Sequence, residues 1–477
     1  MFQRWNAEAG YREVLRIAVP LILSQGAYSL QQFVDRIFLA WYSPEAVAAA
    51  TPAGILTLTI MSLFFGTAGY VTSFVAQYDG AGRPERIGHA LWQGIYIALL
   101  GGVVLALLAP AAPPIFAAVG HAPGVQANEV RFFRILCAGA APAILNAALA
   151  SFFSGRGRPW AVLWADVAAA LLTVVLDWLL IFGRFGLPRL GIEGAAIATV
   201  AGSTLACLIL SLLIFVPRRH RRYETLQGWR PDRVLLLRVI RYGLPTGIQI
   251  FIDLAGFTAF FLLVGRISTD SLAATNIALN INTLAFMPML GLGTAVSVLV
   301  GRYIGEARAD LAERSVSSAV RMALLYMGIL SLAYLLVPGL FLLPFGAEAN
   351  ATTFAPIAAL AKILLRFVAF YSLFDALNIV FSSAIKGAGD TRFVMLMIIV
   401  LSIGILIVPN WLIVVVLHGS IYAAWIVATT YISLLGVVFF IRYRGGKWKR
   451  MRVIEITPAS APIDLSLAPP DSPRGPS

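Results

Sequence analysis

The sequence predicts an all-α integral membrane protein of twelve transmembrane helices in two pseudo-symmetric six-helix lobes. Three observations predict it. The chain of 477 residues is 59% hydrophobic and only 12% charged, with a mean hydropathy of +0.84, whereas a soluble domain carries about a quarter charged residues. Apolar stretches of about 20 residues, enough to cross a hydrocarbon layer of ~30 Å, recur along almost the whole chain. They lack the periodic polar face of helices in a large soluble protein. The two halves also repeat one another in sequence.

In order, the predicted helices cover 14–40, 47–77, 88–116, 132–153, 160–182 and 194–217, which together form an N-lobe over 1–217. The polar stretch 218–235, with Arg218, Arg219, Arg221, Arg222, Arg230 and Arg233, is the only long interruption and reads as a basic linker. The C-lobe follows over 236–445, with helices at 236–265, 271–300, 315–345, 357–384, 391–417 and 420–442. Several exceed 25 residues, so tilting or kinking is expected. The tail, 446–477, is basic and then rich in Pro, Ser and Asp. The part from about Thr457 to Ser477 cannot bury a core and is expected to be disordered.

The net charge of +13 does not indicate nucleic acid, because the basic residues lie in short connectors and the tail rather than along one face. Arg83, Arg86, Arg156, Arg158, Arg302, Arg308, Arg314, Lys386 and Arg392 fall in alternate connectors, together with the linker and tail arginines. The opposite connectors hold mainly Arg131, Arg184, Arg189 and Arg266. This bias, roughly threefold, places both termini in the cytoplasm and the chain in the plasma (cell inner) membrane. The first apolar segment is long and carries a carboxylate, so it reads as a retained helix rather than a cleaved signal.

The repeat has a register. Pro20 and Pro245, Ser43 and Ser268, Gly66 and Gly291, Tyr78 and Tyr303, and Gly80 and Gly305 all pair at one constant offset. At a second, slightly larger offset, Arg134 meets Arg366, Asn146 meets Asn378, and Gly155 and Gly157 meet Gly387 and Gly389. One residue further out of step, Asp177-Trp178 meets Asn410-Trp411. A unit of six helices inserts both copies with the same orientation, so the axis relating them runs along the membrane normal, as in parallel-repeat transporters.

Five aspartates lie within predicted spans: Asp35, Asp166, Asp177, Asp253 and Asp375. A charge there costs ~2.5–3.5 kcal/mol on insertion scales and is functional by default. Asp166 and Asp177, eleven residues apart, share a helix face about 16 Å apart along the axis. Asp166 lies eight residues past Arg158, so a headgroup or helix-contact position stays open for it. The other acids have apolar surroundings and no lysine nearby in sequence; Arg36 adjoins Asp35 but points away from it. Such a carboxylate can take up a proton, Na⁺ or an organic cation. Competition among these would couple one flux to another. The aromatics Phe251, Phe257, Phe260 and Phe261 around Asp253, and Phe370, Tyr371 and Phe374 before Asp375, could hold a cation by the ring face. Packing explains them equally well. Pro20 and Pro245 early in helices one and seven either shape the bundle or act as hinges. Cys137, Cys207 and the four histidines show no metal or disulfide spacing.

These residues resemble the multidrug and toxic compound extrusion (MATE) family over nearly all of 10–445. The resemblance rests on the order and spacing of VDRIFLA, LDWLLIFG followed by GIEGAAIATV, GLPTGIQIFID, and FDALN followed by KGAGDTR. It implies a V-shaped pair of lobes and H⁺- or Na⁺-coupled export of cationic amphipathic drugs. It further implies coupling roles for Asp35 and Asp177 in the N-lobe and for Asp253 and Asp375 in the C-lobe. Asp253 replaces the Glu usual in NorM-like members. Thr173 replaces an Asn common four residues before the helix-five acid, and Thr199 is positioned to supply another hydroxyl; Asp166 is a further supporting polar group. No cofactor beyond the coupling ion is implied, and nothing requires more than a monomer. A flippase for lipid-linked oligosaccharides is the nearest alternative, but it would need cationic cavity residues to hold pyrophosphate. A membrane-embedded enzyme would need a catalytic pair or a His metal motif within the spans, and neither occurs.

Overall fold

The computed structural model describes residues 5–216, 218–346 and 351–455. Its first helix, α1, is Tyr11–Tyr42 and contains Pro20. Ser43 ends it in an extended conformation, and the Ser43 hydroxyl accepts from the Glu45 N–H to start the next helix, with Pro44 in its first turn. That is the cap-and-proline start a helix prefers. α2 is Pro44–Gly80 and α3 is Glu85–Val119. α4 is a bent pair, Pro123–Ala138 and Ala140–Gly155, with 44° between its pieces. α5 is Trp160–Phe182 and α6 is Ile192–Phe215. The second half holds α7, Arg233–Gly265; α8, Thr269–Gly305; α9, Ala309–Leu336; α10, Ala351–Ala388; α11, Thr391–Val416; and α12, Ile421–Arg444.

Ten of these helices are long and apolar enough to cross a membrane, and the bent α4 is an eleventh. The twelfth, α1, is 32 residues long, but three glutamines, two serines and charges at Arg16, Asp35 and Arg36 make it less apolar. Large aliphatic side chains such as Leu107, Leu262, Leu336 and Ile441 point outward on the bundle surface, as lipid contact requires.

Some boundaries differ from expectation for identifiable reasons. α4 starts at Pro123 rather than 132, because residues 123–131 are helical although polar. α9 stops at Leu336 because Pro338 opens a separate short helix, Pro338–Gly346. α11 is not a regular helix: π-helical turns at Ser402–Ile407 and Leu412–Val416 flank the four residues around Pro409. A proline nitrogen has no proton to donate, and the helix widens on either side of it. The linker is folded against α3, where the Trp92 indole donates to the Thr225 carbonyl at 2.7 Å. The start of the tail is also folded. Trp448 is buried and stacks on Tyr443, and Val453 and Ile454 are buried. Residues 456–477, expected to be disordered, lie outside the described residues.

Two apolar cores sit side by side, one from each half, and the first helix of each half joins them. Val14, Ile17, Ala18 and Leu21 of α1 pack into the C-terminal core, while Leu39 of the same helix packs into the N-terminal core. α7 does the reverse: Leu235 and Val239 enter the N-terminal core and Phe260 the C-terminal one. The contacts between halves are duplicated. A Cβ on Gly66 would meet the Gly247 backbone at 2.7 Å, and one on Gly291 would meet the Ile22 backbone nitrogen at 2.8 Å. Gly80 lies against the Arg302 carbonyl and Gly305 against the Gln77 carbonyl. Both partners in each contact are related to their counterparts by the offset that pairs Pro20 with Pro245, so the sequence repeat is also a repeat of contacts. The contacts at Gly80 and Gly305 lie at the end of the bundle that carries Tyr11 and Arg444, and they hold the halves together there.

Candidate functional site

α1 and α5 pack together in the N-terminal half and bring Asp35 and Asp177 close enough to interact through their charges. Asp177 is fully buried, and neither carboxylate oxygen has a hydrogen-bond partner. Asp35 is 8% exposed, and its Oδ1 is likewise unpartnered. Arg36, the next residue on α1, is the base whose charge reaches Asp35. An ionised carboxylate buried without a partner is held only at large cost. A proton or a cation would relieve that cost.

The supporting residues divide. Thr173, one turn before Asp177, donates to the Ala169 carbonyl at 2.9 Å and lies 3.4 Å from the Ala198 carbonyl, so its hydroxyl serves the α5–α6 contact rather than the acid. Thr199 is half-buried on α6, and its carbonyl accepts from Ser203 at 3.0 Å. Asp166 does not join Asp177. It accepts from Ser24 of α1 and, at 3.3 Å, from Asn146 of α4, which makes it a polar tie between three helices.

In the C-terminal half, α7 carries Asp253 and α10 carries Asp375, again near enough to interact through charge. Asp375 is 8% exposed and accepts from Asn378 at 3.0 Å. Asp253 accepts from the Tyr431 hydroxyl of α12 at 3.4 Å, and Gln249 stands one turn before it on α7. Its surroundings contain a base that the sequence placed elsewhere. Lys386, assigned above to a connector, lies inside α10 and directs Nζ to Gln249 Oε1 at 3.2 Å. Helical phase, eleven residues from Asp375, was the available signal; proximity to Gly387 and Gly389 obscured it.

A second missed feature is a polar stripe on α8. Asn276, Asn280, Thr283 and Thr294 are all exposed on a helix that spans the bundle. Three of them recur at intervals of four and three residues, which is one helical face. Polar groups on a spanning helix favour water or protein over lipid. The acids are not arranged by the repeat: Tyr28 and Phe260 occupy the positions equivalent to Asp253 and Asp35, and buried Asn410 that of Asp177. Each half therefore carries its own pair. Pro20 and Pro245 are both buried within α1 and α7, in the part of each helix that lies in the opposite core.

At the end of the bundle that carries Tyr11 and Arg444, a charged cavity of about 240 Å³ is lined by Glu13, Arg16, Asp79, Arg156, Arg158 and Arg302, apart from the acids above. Beside it, Glu455 accepts from Arg83 at 2.9 Å, Arg238 at 2.6 Å and Tyr78 at 2.8 Å, and lies 3.2 Å from Arg86. Burial alone would raise this carboxyl, but its own backbone N–H, Tyr78, Arg86 and Arg83 outweigh that and bring it down to about 2.

The MatE family model matches the chain twice, over residues 20–179 and 245–412, so that the prolines pairing α1 with α7 stand at the head of the two matches. A probable multidrug resistance protein NorM of Bradyrhizobium diazoefficiens is 33% identical over 393 residues, 80% of this chain and 81% of that one. The multidrug resistance protein PmpM of Pseudomonas aeruginosa is 29% identical over 399 residues, 82% and 81% of the two chains. Among solved structures, a multidrug resistance MATE family transporter in an outward-facing conformation superposes with a TM-score of 0.84 at 20% identity, covering 94% of this chain and 98% of that one. That likeness establishes the shared fold.

Proposed function

Because this chain belongs to the MatE family, we propose that it is a secondary multidrug exporter that expels cationic amphipathic molecules in exchange for H⁺ or Na⁺. Asp177, fully buried with both oxygens unpartnered, carries this reading. It needs a cation, and Asp35 beside it makes the need greater. Cargo and coupling ion compete for the same pair, and their alternation is antiport. Asp253 and Asp375 form a second such pair. The names of the NorM and PmpM relatives support multidrug cargo.

The arginine-rich end bearing both termini is assigned to the cytoplasm of the cell inner membrane by the positive-inside bias. The protein acts as a monomer in lipid, and as a carrier rather than an enzyme. Export of lipid-linked sugars is less well supported, since among the described residues Arg36 and Lys386 are the bases set against four acids.

The test is ethidium efflux from proteoliposomes under separate H⁺ and Na⁺ gradients. The unaltered chain should drive efflux with at least one gradient, and Asp177→Asn should not. Full activity in Asp177→Asn removes this assignment. Transport of anionic lipid without ethidium would favour the flippase.

A further inference from the structure

We propose that Lys386 is a tethered counter-cation of the C-terminal acids and sets how many mobile cations they take up per cycle. This rests on the exporter reading above.

The geometry is a relay. The Lys386 ammonium meets Gln249 Oε1 at 3.2 Å, Gln249 stands one helical turn before Asp253 on α7, and the Tyr431 hydroxyl donates to Asp253 Oδ1 at 3.4 Å. Among the described residues, Lys386 and Asp253 make no direct ion pair. The charge therefore compensates the acid through a neutral amide and leaves the carboxylate free for a mobile ion. A lysine at a helix end would ordinarily extend its stem to water. Here the stem turns to an amide inside the bundle.

The titratable groups around this relay, among the described residues, are Asp253 on α7, Asp375 and Tyr371 on α10 and Tyr431 on α12. Two carboxylates and one fixed ammonium leave a net charge of minus one. The pair is thus neutralised by one mobile cation, either cargo or coupling ion, and the two cannot share it. Without the ammonium the same acids hold two, and a cargo that fills the site displaces both. The N-terminal pair has no such partner among the described residues: Arg36, the base near Asp35, adjoins it on the same helix.

The experiment counts ions. In proteoliposomes holding the unaltered chain, Lys386→Met and Lys386→Arg, the ethidium gradient balanced by a set H⁺ or Na⁺ gradient and voltage gives cations exchanged per ethidium. Lys386→Met should exchange one more coupling cation than the unaltered chain, while Lys386→Arg keeps its value. An unchanged count in Lys386→Met overturns the proposal. Should Lys386→Met fail to fold, Asp253→Asn reads the same charge in the opposite sense. In detergent solution, the protons or sodium ions released per ethidium bound should fall by one, and an unchanged number again overturns it. If the unaltered chain neither binds nor moves ethidium, the exporter reading fails first.

Discussion

Tyr78 and Tyr303, equivalent positions of the repeat, make the same bond in opposite halves: each phenol donates to a glutamate at 2.8 Å, Tyr78 to Glu455 and Tyr303 to Glu13. The two acids come from opposite ends of the chain, one in the first turn of α1 and one after α12. Pseudo-symmetry at this face therefore extends beyond the duplicated segment itself. Together with the Gly80–Arg302 and Gly305–Gln77 contacts, it describes a closed seam between the halves.

The seam predicts the effect of Gly80→Ala. A methyl group there would meet the Arg302 carbonyl, which is backbone and cannot swing aside. The expected cost is about 1–3 kcal/mol, read as a lower melting temperature in detergent. Gly328→Ala on α9 is the control, since nothing lies within 4 Å of its would-be Cβ. Alanine favours helix over glycine, so the control should be neutral or stabilising. Equal losses in both variants would contradict a tight seam.

Asp177→Asn should remove ion coupling and at the same time raise stability. Asn410, at the equivalent position of the other half, is fully buried and donates to the Leu406 carbonyl at 2.8 Å, one turn back. An Asn at 177 can bond the Thr173 carbonyl in the same way. The gain should be of the order of 1–3 kcal/mol, the usual penalty of a buried unsatisfied polar group. A variant less stable than the parent would show that Asp177 is already satisfied.

Asp166→Asn should behave in the opposite manner. Ser24 and Asn146 already satisfy this acid, so efflux should persist at more than half its rate while the melting temperature falls. Loss of coupling with intact folding would move Asp166 into the ion path.

Glu455 gives a pH dependence with a definite sign. Its carboxyl, ordinarily near 4.5, is brought to about 2 in the folded chain. Its contribution is therefore complete above pH about 4.5 and is lost as pH falls toward 2. At pH 7, Glu455→Gln should cost about 1–2 kcal/mol once solvent screening of a partly exposed site is allowed for. Melting curves of parent and variant should converge as the buffer is acidified. A gap that stays constant down to pH 3 would refute the ionic account.

The acids were legible in the sequence because a carboxylate inside an apolar run is too costly to be kept for packing alone. Their pairing was not. Asp35 with Asp177 and Asp253 with Asp375 depend on which helices touch, and the distance of Asp166 from Arg158 left its role open until Ser24 and Asn146 were seen to hold it. The repeat was legible from Pro, Gly and Tyr, whose roles in kinks, close contacts and hydrogen bonds tolerate few substitutes. Lys386 was read as connector charge, because a lysine two or three residues from a turn has the same local signature whether it faces water or the bundle. The tail shows the limit of composition. Charge hides the packing of its basic start, where Trp448, Val453 and Ile454 bury apolar surface as core residues do.

Glu455 gathers Arg83 from the connector before α3, Arg86 from the first turn of α3 and Arg238 from the first turns of α7. During synthesis, those three guanidiniums must wait for nearly the whole polypeptide before their common acid emerges. Until then the first half carries an excess of positive charge on one face, the condition that holds a nascent segment on its side of the bilayer. The carboxylate that draws these arginines together arrives only after the last helix has been threaded, so orientation is settled before the face is sealed.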